Sequence, residues 1–176
     1  LFYSIIYLII IQYHRLIKSN NYIKSSIIKL SWIEDRCFEE NTFRDVYFAG
    51  LEKVEKEIGK SFATLTLPFL PRRLLKKSLS DEKIFPSAVL LSLDIIIKSL
   101  MKSLSYRPAP DKSINYLFNR EISNKKAMFE SLIFYFVMEK FLSKRAEVTT
   151  ILIPFENQPN DKLLVKANSE SSIKRK

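Results

Sequence analysis

Glu156, Asn157 and Gln158 stand together in "ILIPFENQPNDKLL", residues 151–164, directly after an apolar run and between two prolines. A carboxylate and two amides at the mouth of a strand can read several hydroxyls at once, as a sugar or phosphosugar presents them. An earlier stretch has the same grammar. In "SWIEDRCFEENTFRDVYFAGL", residues 31–51, Trp32 and Ile33 close an apolar run and Glu34, Asp35 and Arg36 follow immediately. In an open parallel sheet, ligands bind in the crevice outside the carboxyl ends of the strands, so both groups fall where topology puts a site. The same residues also fit a plainer role. Glu156 can cap a helix beginning near Asp161, Asn157 and Gln158 can tie down a turn between prolines, and Asp45 can be a capping acid.

Other chemistries are excluded or left without support. The 176 residues include only two glycines, Gly50 and Gly59, too few for a Gly-rich phosphate loop. The single cysteine, Cys37, permits no internal disulfide and fits a reducing compartment. The one histidine, His14, is distant from it in an apolar segment, so packing roles are expected for both. With one His and one Cys, no metal-ligand set has usable spacing. The formal net charge of +10 arises from 29 basic and 19 acidic residues interleaved along the chain. Dense positive runs occur only at Arg72, Arg73, Lys76, Lys77 and at the last three residues, so nucleic acid is not the favoured partner.

The elements that must position these groups can be read from periodicity. The opening "LFYSIIYLIIIQYHR" is shorter than the roughly 20 residues a bilayer span needs, and it reads as a buried helix. "IIKLSWI", 27–33, is strand-like in length and β-branched content. A helix is predicted over 43–60, capped by Thr42 and Asp45 and ended by Gly59, and "FATLTL", 62–67, follows as a strand. That is a βαβ unit. After a basic loop, a helix is expected over 88–104, with Leu93, Ile97, Leu100 and Leu104 buried and Asp94, Lys98 and Lys102 facing water. Ser123 opens a long helix whose centre, "LIFYFVM", is apolar all round and so buried on every side. "VTTILI", 148–153, reads as a strand inside a parallel sheet covered on both faces.

The two polar stretches resemble motifs of a family of bacterial surface carbohydrate biosynthesis proteins. In that family a strand ending in Trp leads through an acid, Arg and Phe to an Arg-Asp-x-Tyr-Phe-Gly stretch, and a later strand ends in Glu-Asn-Gln followed by Trp-Glu-Lys. The resemblance implies a glycosyltransferase-like protein with two Rossmann-like halves, acting in lipopolysaccharide, O-antigen or capsule assembly. It further implies that Trp32, Asp35, Arg36, Arg44, Asp45, Tyr47 and Phe48 shape one wall of a cleft, with Glu156, Asn157 and Gln158 on another. Asp35 or Glu156 is then the candidate catalytic base for an acceptor hydroxyl, and Arg36 or Arg44 faces negative charge on phosphate or sugar acid. This chain departs from the pattern at Asn160 and Asp161, where the family has Trp and Glu, and at Ala49, an extra residue before the glycine.

The expectation is therefore an α/β, Rossmann-like parallel sheet with flanking helices, one half of a two-domain fold of the GT-B type. Its segments are an amino-terminal apolar helix and linker over 1–25, an α/β domain over 26–165 and a flexible basic tail over 166–176. The expected partner is a sugar or glycan acceptor, in the cytoplasm or peripheral to the inner membrane. No cofactor is expected in this chain, and a nucleotide-sugar donor only in a longer, full-length context, since the sequence reads as an interior fragment. The alternatives are a non-catalytic basic module that binds a membrane surface or nucleic acid, and a degenerate remnant.

Overall fold

Strand 27–31 is flanked on both sides by strands distant in sequence, and that placement organises the molecule. The computed structural model describes residues 25–39, 42–60, 62–105, 125–154 and 159–171. The expected amino-terminal helix, with His14, and the triplet Glu156, Asn157 and Gln158 lie outside the described residues. In chain order the elements are β1 (Ile27–Ser31), β2 (Phe38–Glu39), β3 (Thr42–Phe43), α1 (Leu51–Ile58), β4 (Phe62–Thr66), α2 (Arg72–Ser80), β5 (Ile84–Phe85), α3 (Leu93–Ser105), α4 (Lys125–Lys144), β6 (Thr150–Leu152) and α5 (Pro159–Glu170).

Four strands form one parallel sheet in the order β5-β4-β1-β6. Ile27 of β1 aligns with Phe62 of β4 on one side and with Thr150 of β6 on the other. The chain thus builds outward from β1 through β4 to β5, then returns to add β6 on the opposite flank. This is an α/β sheet of Rossmann-like kind, and its strand order reverses between β1 and β6. The strands form because their residues suit burial in a parallel sheet: all of β4 is buried, and all of β1 after Ile27. The core joins Ile28, Leu30, Leu65 and Ile84 of the sheet to Leu75, Phe134, Val137, Met138 and Phe141 of the helices.

The long helix is as apolar in its surroundings as in its sequence. Residues 133–138 of α4 are all buried, and α4 packs against both α3 and α5. α5 runs to Glu170, past the expected domain boundary at 165, and buries Leu164 and Ala167.

Five expectations are corrected. The helix predicted over 43–60 spans only 51–58, because Thr42 and Phe43 pair as β3 with Glu39 and Phe38 of β2. The Phe38 and Phe43 rings lie 5.7 Å apart, a cross-strand aromatic contact that a helix start could not make. Gly59 ends α1 as predicted, in the left-handed region at φ 62. The basic loop contains α2, which buries Leu74, Leu75 and Leu79 and leaves Arg72, Arg73 and Lys76 exposed. β5 was not anticipated, since two residues carry no readable alternation. β6 is a three-residue, half-buried strand at the sheet edge rather than a strand covered on both faces.

The fifth correction concerns α3. It begins at Leu93, after a 3-10 turn over Ser87–Leu90, and it turns its serines inward. Ile95, Ser99 and Ser103 are buried, whereas Leu93, Ile97, Leu100 and Leu104 are exposed. Small side chains let α3 approach α4 closely. The Lys140 ammonium of α4 donates to Ser92 Oγ at 2.7 Å, and Lys98 and Lys102 lie over the Phe136 ring. These contacts fix the rotation of the helix against the apparent sequence stripe.

Candidate functional site

The carboxyl end of β1 is the best-built polar cluster of the described residues. Beyond Ser31, the chain runs through Trp32 and Ile33 into a 3-10 turn at Asp35–Cys37. Cys37 is buried and anchors the turn: its sulfur accepts from the Glu34 backbone N–H at 3.5 Å and its thiol donates to the Trp32 carbonyl at 3.8 Å. Glu34, Asp35 and Arg36 are thereby held outward, exposed.

Asp45 holds the second loop against the same strand end. It is buried, and its Oδ1 accepts from Ser31 Oγ at 2.9 Å and from the backbone N–H groups of Tyr47 and Phe48 at 3.1 and 3.3 Å. Its Oδ2 lies 3.9 Å from the ammonium of Lys29, which also pairs with Glu55 of α1 at 3.5 Å. Asp45 is thus the capping acid of a turn, beneath the site rather than in its wall. Lys29 was overlooked, although a lysine inside the buried run "IIKLS" is itself a signal that a carboxylate must be near.

With both segments fixed, three side chains converge. The Tyr47 hydroxyl donates to Glu34 Oε1 at 2.6 Å and accepts from the Arg36 guanidinium at 3.3 Å. Arg36 Nε lies 2.7 Å from Glu34 Oε2, and its guanidinium stands 5.6 Å from the Tyr47 ring centroid. The Trp32 and Tyr47 rings are 5.9 Å apart and tilted. The Tyr47 hydroxyl, with the Arg36 charge, holds the Glu34 carboxyl below its ordinary range. The Glu34 carboxylate in turn pushes the Tyr47 phenol up. Glu34 is therefore an ionised acceptor, suited to orient a hydroxyl more than to abstract its proton.

Asp35 points to a different element. Its Oδ1 lies 3.6 Å from Arg73, in the first turn of α2, so the β1 and β4 connections meet at this edge. Arg73 was not singled out individually, because its position depends on α2 lying beside the end of β1. Arg44 directly follows the β2–β3 hairpin, its guanidinium 3.9 Å from Glu39 and its backbone N–H donating to the Cys37 carbonyl at 2.8 Å.

An open groove of about 690 Å³ lies between Tyr47–Leu51, Val54 and the β6 end, Ile151–Ile153. It runs along β6, the strand next to β1 across the point where the strand order reverses, and its size falls in the range of small-molecule sites, about 300–1,000 Å³. Tyr47 belongs both to the groove wall and to the Glu34–Arg36 cluster, which makes it the link between them. The structure thus gathers Trp32, Arg36 and Tyr47, adds Glu34, and sets Asp35 alongside through Arg73. Among the described residues no group of three or more His, Cys, Asp or Glu could hold a metal ion. No protein-family model, curated protein or solved structure matches this chain.

Proposed function

We propose that the groove at the β1/β6 reversal is a sugar-binding cleft, and that the chain is the acceptor-side half of a glycosyltransferase-like, GT-B-type fold. The observation that carries this reading is the shared position of Tyr47, at once in the groove wall and hydrogen-bonded to an ionised carboxylate beside an arginine. An aromatic face beside a carboxylate and a guanidinium matches a sugar ring, with apolar C–H faces and hydroxyls at its rim. Trp32 and Tyr47 supply the faces. Glu34 accepts from hydroxyls, Arg36 meets phosphate or sugar acid, and Asp35 is the candidate base.

The motif resemblance of residues 31–51 and 154–164 to bacterial surface carbohydrate biosynthesis proteins supports the same reading. On this reading the protein acts in lipopolysaccharide, O-antigen or capsule assembly at the cytoplasmic side of the inner membrane. Glu156, Asn157 and Gln158 follow β6 in sequence and complete the acceptor set. The nucleotide-sugar donor belongs to a second half in a longer protein.

The test is titration of the chain, followed by ligand-observed NMR, with a panel of hexoses, hexose phosphates and uronic acids. Saturable binding by one class, lost in Trp32→Ala and weakened in Arg36→Gln with the fold intact, is expected. Absence of saturable binding across the panel, or binding indifferent to Trp32→Ala, would refute the cleft.

A further inference from the structure

A second, much smaller cavity lies apart from the groove, lined by Lys29, Asp45, Glu55, Thr64 and Lys83. The strand register creates it. Lys29 of β1 stands opposite Thr64 of β4, so both side chains project to one face of the sheet, and Asp45 and Glu55 reach the Lys29 ammonium there. Lys29, Asp45 and Thr64 are 5%, 4% and 1% exposed. The cavity leaves about 20 Å³ open to the centre of a water-sized sphere. One water needs about 10–15 Å³ of such space and two to four polar partners, so the cavity holds a single small molecule and excludes a sugar or a phosphate.

Asp45 uses its two oxygens unequally. Oδ1 accepts from Ser31 Oγ and from the Tyr47 and Phe48 backbone N–H groups. Oδ2 is buried and accepts no hydrogen bond from the described residues. The Lys29 ammonium, 3.9 Å away, is near enough for charge attraction and too far for a hydrogen bond. A buried carboxylate oxygen left without a donor is costly, and a polar gap of this width suits a bridging molecule. The lining decides which one. Two lysines and two acids balance in formal charge, so a cation would face Lys29 and an anion would face Asp45 and Glu55. The fitting ligand is neutral, has one heavy atom, and both donates and accepts.

We propose that this cavity is the site of one internal water, which donates to Asp45 Oδ2, accepts from the Lys29 ammonium and turns its second hydrogen toward Glu55 or Thr64. One molecule thereby ties β1 to the turn that carries Tyr47 and to α1. The inference does not depend on the sugar cleft, since no outcome of a sugar titration bears on it.

The experiment is oxygen-17 relaxation dispersion of water with the full chain and with Thr64→Ile, whose added methyl group takes up the cavity. The amplitude from long-lived waters should fall by about one water in the variant. A crystal structure of the unsubstituted chain is the independent measurement, and it decides alone where Thr64→Ile does not fold. Electron density should show one oxygen about 2.7–3.2 Å from both Asp45 Oδ2 and Lys29 Nζ. An unchanged amplitude in folded Thr64→Ile would overturn the proposal. So would a cavity empty of density, a heavier ion within it, or a Lys29 ammonium hydrogen-bonded directly to Asp45 Oδ2.

Discussion

The Ser31 hydroxyl donates to Asp45 Oδ1 at 2.9 Å, joining the last residue of β1 to the loop that delivers Tyr47. The same oxygen also accepts the Tyr47 and Phe48 backbone N–H groups, so one carboxylate fixes both walls of the cluster. Because Lys29 is buried beside it, Asp45 also balances a charge that would otherwise rest on Glu55 alone.

Asp45→Ala is therefore expected to cost about 3–5 kcal/mol, the range for breaking a buried pair and orphaning its hydrogen-bond donors. Asp45→Asn should cost less, since its amide oxygen can still accept from Ser31 and the turn while only the charge is lost. Urea unfolding of the two variants checks this. Equal costs would mean that the charge, and not the capping geometry, is what Asp45 supplies.

The inward face of α3 gives a second prediction. Ser99 is fully buried, whereas Leu100 is about half exposed. Ser99→Leu should overpack the α3–α4 contact and destabilise by about 1–3 kcal/mol, while Leu100→Ser should change stability by less than about 1 kcal/mol. The reverse ranking in thermal unfolding would restore the leucine stripe to the core.

That ranking runs against the sequence pattern, and α3 shows why part of the fold could not be read. Periodicity reports that a helix has two unlike faces, but not which face a neighbour takes. Here Ser92, by accepting from Lys140, and the cations over Phe136 decide the matter, and all depend on α4. β1, β4 and the buried centre of α4 were legible because apolar runs in a parallel sheet or central helix admit one reading. The site was legible by half. Glu34, Asp35 and Arg36 follow from the rule that strand ends bear ligands, and Trp32 and Tyr47 from the motif resemblance alone, while the partnership of Glu34 with Tyr47 crosses a hairpin that the sequence disguises as a helix start.

Tyr47→Phe isolates that partnership. The variant keeps the ring but removes the hydroxyl between Glu34 and Arg36, so the Glu34 carboxyl should rise toward its ordinary 4.5. A carboxyl depressed by folding stabilises above its unfolded value, and that contribution is lost as pH falls through the folded one. Glu34 in the variant should thus protonate at higher pH, as carboxyl-carbon NMR titration would record, with little change in thermal midpoint. An unmoved Glu34 would leave Arg36 as its sole effective partner.

The carboxyl-terminal helix supplies a pH prediction of its own. The buried Tyr135 of α4 donates its hydroxyl to Glu170 at the end of α5, and Lys166 lies 3.2 Å from the same carboxylate. Burial, then the Glu170 contact, pushes the Tyr135 phenol above its ordinary range. The Tyr135 hydroxyl, with Lys166, holds Glu170 below its ordinary 4.5. The sign follows from linkage: the contribution of Glu170 is present above its unfolded value and is lost as pH falls through the depressed folded value. Amide protection of α5 should accordingly hold through mildly acidic pH and decline below about 4.5, while that of α4 persists because its centre is buried independently of the contact. In Tyr135→Phe the decline should be smaller and complete at a higher pH, since Glu170 then keeps only the charges of Lys166 and Lys102 to hold it ionised. Hydrogen exchange across a pH series separates these outcomes. If α4 and α5 lose protection together at every pH, the two helices open as one unit and the Tyr135–Glu170 bond does not govern the docking of α5.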